Sequence, residues 1–379
     1  MLSHHDTGPI NLGRLFWTLT EDQQRLSDAV ERFVRERLAP LLTQPATPSH
    51  WDDTVRLSGE LGLGTMILPA HRGGFAIDHH DLYLVIQQFA AGPLERAAEL
   101  TLSTPALMTL REHDALDCLP AREIRDHFNG TTSISLAVPG DDASKVWVLC
   151  RHMDAPLLLP YESADGRSLA LVAPHDLRRV VRQRRRIAAL QGLGLEQITV
   201  GHDELASCPR IGCGTDSANS EATRTWLAET GFYLCALLVG AMQQSVAFAF
   251  EHAAARQTFR KPLATHQLVA TRLADMLIAA RGARLFLRAA AESGILAQDT
   301  LIRQLLRHVA AEAMDVSREL VQLCGGHGYV EGLPPAGRFR ATHWFALLLS
   351  QTETALGQYV PSSPLPASHG VHPSRGAHP

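Results

Sequence analysis

Three long helical segments stand in a row in the second half of the chain, and few folds accommodate them. Trp226 to Ala255, His266 to Ser293 and Thr300 to Cys324 each repeat apolar residues at helical spacing. Leu301, Leu305, Val309, Ala313, Val316 and Leu320 mark the face of the third, and a final segment runs from Thr342 to about Val360. From Thr230 to Phe250 the first of them carries no charge over 21 residues. That length would cross a bilayer, but Gln243, Gln244 and Ser245 sit inside it. A helix buried in protein is expected rather than a membrane span.

The first half is also helical, in shorter pieces. Thr20 and Gln23 make a capping box ahead of a stripe of Leu26, Ala29, Val30, Phe33, Val34 and Leu38, which Pro40 ends. Helix-like stretches follow at Asp53 to Leu61, Leu82 to Ala91 and Ala106 to Glu112, with a glycine-marked turn at His71 to Phe75. Near Thr131 the period changes. "SISLAV", "KVWVLC", "SLALV" and "LEQITV" are short, apolar or alternating, and separated by Pro, Gly and Asp, as strands of a small antiparallel unit would be. The expected organisation is a helical domain at 15–130, a short β domain at 131–215, and a helical domain at 221–360. "GCGTDSANSE" links the last two, and a Pro/Ser/Gly/His-rich tail at 361–379 is expected to be disordered.

Composition narrows the function. With 45% hydrophobic residues, 20% charged residues and a net charge of -4, the chain suits a soluble globular protein and not a general nucleic-acid binder. Lys145 and Lys261 are the only lysines, so the positive charge rests on arginine and a single arginine carries less weight. The six cysteines lack metal-ligand spacing; Cys208 and Cys213 have no Cys or His partners at finger-like distances. No metal site is expected, and reduced thiols suit a cytoplasmic protein. The first residues, "MLSHHDTGPINLGR", have no apolar core of the signal-peptide kind. The nineteen histidines are dispersed.

The densest positive charge precedes a helix, in "RQTFRKPLATHQLVATRLADM" from Arg256 to Met276. It is either a solvated loop or a clamp for an anion, since guanidinium groups fork onto phosphate oxygens. Arg178 to Arg186, "RRVVRQRRR", is a second basic run; a solvated turn between strands is expected there, with a CoA or carrier-protein phosphate as the alternative. Asp141 and Asp142 follow Pro139 and Gly140 and read as turn residues.

These pieces resemble the acyl-CoA dehydrogenase family over nearly the whole chain. "LTEDQQRLSDAVERFVRERLAP" is similar to its opening helix, and "LGLGTMILPAHRGGF" to its early turn. "ARQTFRKPLATHQLVATRLADM" and "QLCGGHGYVEGLP" resemble its two C-terminal motifs. The resemblance implies a mostly α fold: an N-terminal helical domain, a middle β-barrel-like domain and a C-terminal four-helix bundle. It also implies FAD bound across a subunit interface of a homo- or hetero-oligomer, and an acyl-CoA or acyl-carrier-protein thioester as substrate. In this family Arg256 would ion-pair the diphosphate, and Thr258 and Phe259 would contact the flavin nucleotide, with Gln267 in the same motif. Gln322, Gly325 and Gly326 would line the nucleotide's path; glycines let backbone N–H groups approach a diphosphate.

The sequence departs from the family pattern in three places. Arg260 replaces a glycine of the motif. "SLAVPGDDAS" stands where members carry Thr-Glu-Pro, and the later Trp-Ile-Thr has no counterpart. The third departure is the base that takes the α-proton while the β-hydride goes to flavin, a role that needs a carboxylate on the far face of the substrate. Counted from Arg340 its usual position falls on Leu349, with Gln351 and Glu353 reached by slips of register; the alternative position on an earlier helix falls on Thr230, beside Glu229. Glu353 and Glu229 are thus the candidate bases. Three functions stay open: a flavin oxidoreductase, a non-catalytic subunit of a heteromeric dehydrogenase, and a non-redox enzyme on the same scaffold.

Overall fold

The computed structural model describes residues 19–359 apart from 121, 123, 125, 127–129, 141, 143, 164–165, 213–215, 293–298 and 331–332. The expected tail at 361–379, Cys213 and Asp141 therefore lie outside the described residues. Single helical turns are left unnumbered below.

The chain opens with α1 (Glu21–Phe33), whose capping box forms as the sequence suggests. Thr20 Oγ1 accepts from the Gln23 amide at 3.2 Å and Gln23 Oε1 accepts from the Thr20 amide at 3.1 Å. Pro40 stops the helix in a tight turn at Ala39–Leu42. Next come α2 (Pro48–Glu60), α3 (His79–Phe89), α4 (Leu94–Thr101) and α5 (Thr104–Glu112). Sequence periodicity missed α4, because eight residues bounded by Pro93 are too few to show a 3.6-residue repeat.

Seven strands follow: β1 (Leu136–Pro139), β2 (Lys145–Cys150), β3 (Leu157–Ser163), β4 (Gly166–Val172), β5 (Val181–Leu190), β6 (Leu193–Val200) and β7 (Arg210–Ile211). They form antiparallel sheets ordered β1-β2-β6-β5 and β3-β4-β7. The basic run expected as a turn is corrected here: most of it is β5, an edge strand on β6. Its pairing slips between Val181 and Gln183 and again between Arg186 and Ala188, and such bulges erase the alternation that would have revealed a strand.

The C-terminal half is α6 (Asp216–Ala255), α7 (Gln267–Glu292), α8 (Asp299–Leu323) and α9 (Pro334–Tyr359). The stretch expected as a link is partly the first turn of α6. α6 packs against α7, α8 and α9 and also against α3, α5 and β4, so it joins the bundle to both other parts. That explains a helix apolar on every side. Glu221–Ala255 is long and apolar enough to cross a membrane, yet 78% of its most apolar window is buried inside the protein. Gly240 permits the closest crossing, since a Cβ there would lie 2.1 Å from the Gln87 carbonyl oxygen of α3.

Candidate functional site

At the end of α6 the chain makes a small hairpin. Gln257–Thr258 (β8) pairs with Lys261–Pro262 (β9), and the Leu263 amide closes the loop on the Arg256 carbonyl at 2.7 Å. The two residues of the turn, Phe259 and Arg260, both have positive φ, 50° and 65°. A turn of this kind ordinarily uses Asn and Gly. Arg260 therefore keeps the left-handed backbone that the glycine of the motif would adopt, at a cost of about 1–2 kcal/mol. Phe259 is 91% exposed at the tip, and Arg256 is exposed at its base. Among the described residues no side chain bonds the Arg256 guanidinium. Thr258 Oγ1 lies 3.1 Å from His266 Nε2, which fixes the hairpin on its connection to α7, and Gln267 opens that helix exposed.

The glycine turn lies near this hairpin. Burial, Arg256 and His327 together hold the His252 imidazole below its ordinary pKa, so Arg256 and His327 both act on one side chain. Gly325 (φ 57°) and Gly326 begin a turn at Gly325–Tyr329, and a Cβ on either would meet no atom within 4 Å. Their backbone faces open space. Gln322 donates to the Tyr329 hydroxyl at 2.7 Å. Arg256, Phe259, Gln267, Gln322, Gly325 and Gly326 are all exposed, and Thr258 is half-buried.

The two carboxylates fall elsewhere and apart from each other. Glu353 is 8% exposed and faces α8, where Arg303 Nε and an Arg307 nitrogen each approach Oε1 at 2.7 Å. It sits in α9, which runs unbroken past the position counted for the base; Leu349 is completely buried in that helix. Glu229, 1% exposed, receives the Tyr83 hydroxyl at 3.0 Å on one oxygen and lies 2.7 Å from His79 Nε2 on the other. Burial lowers the His79 pKa, but the hydrogen bond and charge of Glu229 outweigh it, leaving His79 above its ordinary value. Burial and Glu229 drive the Tyr83 hydroxyl well above the usual tyrosine range. His79 and Tyr83 were not expected from sequence: they stand 150 and 146 residues from Glu229, so no spacing motif could flag them.

The flavin ring's expected bed is apolar. Leu136, Ala137 and Val138 of β1 are 3%, 1% and 0% exposed, turned into the core where the family pattern has a Thr and a Glu. The residues at hand therefore fit the diphosphate end of FAD and do not fit its ring or a proton acceptor beside it.

Comparison with known proteins agrees with this architecture. The acyl-CoA dehydrogenase C-terminal domain matches residues 221–350 and the N-terminal domain residues 20–112. The chain belongs to the acyl-CoA dehydrogenase family. Acyl-CoA dehydrogenase FadE27 of Mycobacterium tuberculosis is 32% identical over 53% of this chain and 52% of its own, so the match spans about half of that relative. Butyryl-CoA dehydrogenase from Megasphaera elsdenii superposes with a TM-score of 0.67 at 16% identity, covering 90% of this chain and 99% of its own. PigA, solved with FAD and proline, superposes with a TM-score of 0.72 at 14% identity, covering 90% and 98%. At these identities the structural likeness concerns the fold.

Proposed function

We propose that the chain is an FAD-associated acyl-CoA dehydrogenase-like protein. It serves the α,β-dehydrogenation of an acyl-CoA or carrier-bound acyl thioester within an oligomer, in the cytoplasm. The observation that carries this reading is the outward hairpin: an unpaired Arg256, an exposed Phe259 and two open glycines suit a nucleotide that another subunit holds. FAD, when bound, supplies the hydride acceptor. Arg256 would neutralise its diphosphate, Thr258 and Phe259 would contact the nucleotide, and Gly325 and Gly326 would let backbone N–H groups approach it.

A second reading, a catalytically degenerate subunit of a heteromeric dehydrogenase, is favoured by Leu349. A buried leucine in an unbroken helix cannot take a proton, and Leu136, Ala137 and Val138 of β1 offer a flavin no polar side chain. On that reading the base and the ring bed come from the partner.

The visible absorption spectrum of the purified chain tests both. Flavin bands near one per chain support a self-sufficient oxidoreductase and direct attention to Glu229 and Glu353. A chain that stays colourless with added FAD, yet raises FAD retention in a co-expressed dehydrogenase chain and loses that effect on Arg256→Gln, supports the heteromeric reading. A colourless chain without that effect overturns both.

A further inference from the structure

One cavity, built wholly from the first half of the chain, combines an apolar wall with a buried hydroxyl that has no partner. Its volume is about 190 Å³, and every residue lining it falls between Leu68 and Pro174. The hairpin, the glycine turn, Glu229 and Glu353 therefore take no part in it. It lies between α5, the turn that carries Leu68, the entry to β1 and the β2–β3 loop.

Leu68, Leu107, Leu119 and Ile134 line it and are each 6% exposed or less, and Pro156 is buried beside them. Close packing seldom leaves a space of this size in a core. An apolar cavity of roughly 150 Å³ holds a benzene ring, so this one suits a molecule of about six to eight non-hydrogen atoms.

Two residues of the wall, Thr132 and Ser133, carry hydroxyls. Ser133 is 6% exposed, and its Oγ has no hydrogen-bond partner. A buried hydroxyl normally finds one, because burial has already cost it water. The orphan oxygen is the group a ligand would satisfy.

The mouth decides what charge that ligand carries. His152 and Asp154 line the cavity and are exposed. Burial, then Arg151, hold the His152 imidazole below its ordinary pKa, so it is neutral at pH 7. Among the described residues no arginine or lysine lines the cavity, so an anion would enter it unpaired and past the Asp154 carboxylate. A cation could pair with Asp154 only in solvent, where ion pairs contribute little, and would leave Ser133 unsatisfied.

We propose that this cavity binds a small neutral alcohol, its hydroxyl on Ser133 Oγ and its apolar body against Leu107, Leu119 and Ile134. The proposal does not depend on the flavin reading.

NMR titration of the full chain with benzyl alcohol tests this, with toluene, benzoate and benzylammonium as counterparts of similar shape. Benzyl alcohol is expected to bind, and both ions at least about ten-fold more weakly. Ser133→Ala should weaken benzyl alcohol about three- to ten-fold and leave toluene unchanged, since only the alcohol loses a hydrogen bond. Ala155→Leu, which adds bulk to the wall, should weaken both about ten-fold or more. Added FAD should leave the affinities unchanged. Should Ala155→Leu fail to fold, the Ser133→Ala comparison decides alone. The proposal is overturned by absent binding of benzyl alcohol, by an ion that binds as tightly, or by displacement on adding FAD. It is equally overturned by a Ser133→Ala protein that does not separate alcohol from toluene, or by an Ala155→Leu protein that binds like the parent.

Discussion

Replacing Glu229 by glutamine separates a structural carboxylate from a catalytic one. The substitution keeps shape and one acceptor oxygen but removes the charge that holds Tyr83 at 3.0 Å and His79 at 2.7 Å. A hydrogen bond to a charged group is worth about 1.5–3 kcal/mol and a neutral one about 0.5–1.5, so two weakened bonds cost roughly 2–3 kcal/mol. The cost depends on pH in a determined direction. His79 has a folded pKa above its ordinary value, so its share of the stability is complete below about 6.5 and is lost as pH rises through the raised value. Glu229→Gln should therefore destabilise more in mildly acidic than in mildly alkaline buffer, with the difference shrinking to about 1 kcal/mol once His79 is neutral. Scanning calorimetry of both proteins at the two pH values measures this, and NMR titration of the His79 ring should show its pKa falling in the variant. An equal penalty at both pH values, with an unmoved His79 titration, would refute the network. Loss of thioester oxidation without loss of stability would instead mark Glu229 as a base.

Four further outcomes follow from the packing. Glu99 is 5% exposed and receives Trp51 Nε1 at 2.8 Å and Arg96 at 2.6 Å, with Arg151 at 3.3 Å. Glu99→Leu strands two half-buried arginines and should cost about 3–5 kcal/mol in a denaturant titration. Gly240→Ala forces α3 off α6 and should cost about 1–3 kcal/mol, read as a lower melting temperature. Arg260→Gly should relieve turn strain by up to about 1 kcal/mol net of the added chain entropy, raising the melting temperature slightly while leaving the hairpin intact by NMR. Glu353→Gln should lower the melting temperature through its lost arginine pairs and leave the pH profile of any thioester oxidation unchanged; a shifted profile would make Glu353 the base.

Much of the fold was legible because its signals are local. The capping box of α1, the long stripes of α7 and α8 and the change of period near Thr131 each lie within one segment, and the structure places elements where they fall. α4 and β5 were not legible, the first for its length and the second because its bulges break alternation. The candidate site divides in the same way. Arg256, Phe259, Gly325 and Gly326 belong to contiguous motifs, so the sequence alone marked them. It also determined that Arg260 and Leu349 break the pattern. Only the tertiary structure decided what those changes mean: Arg260 still adopts the left-handed turn, and Leu349 is sealed inside an unbroken α9. The partners of Glu229 and Glu353 were equally invisible in the chain. Burial and charge compensation are sums over neighbours brought from distant segments, and no residue's own sequence context contains them.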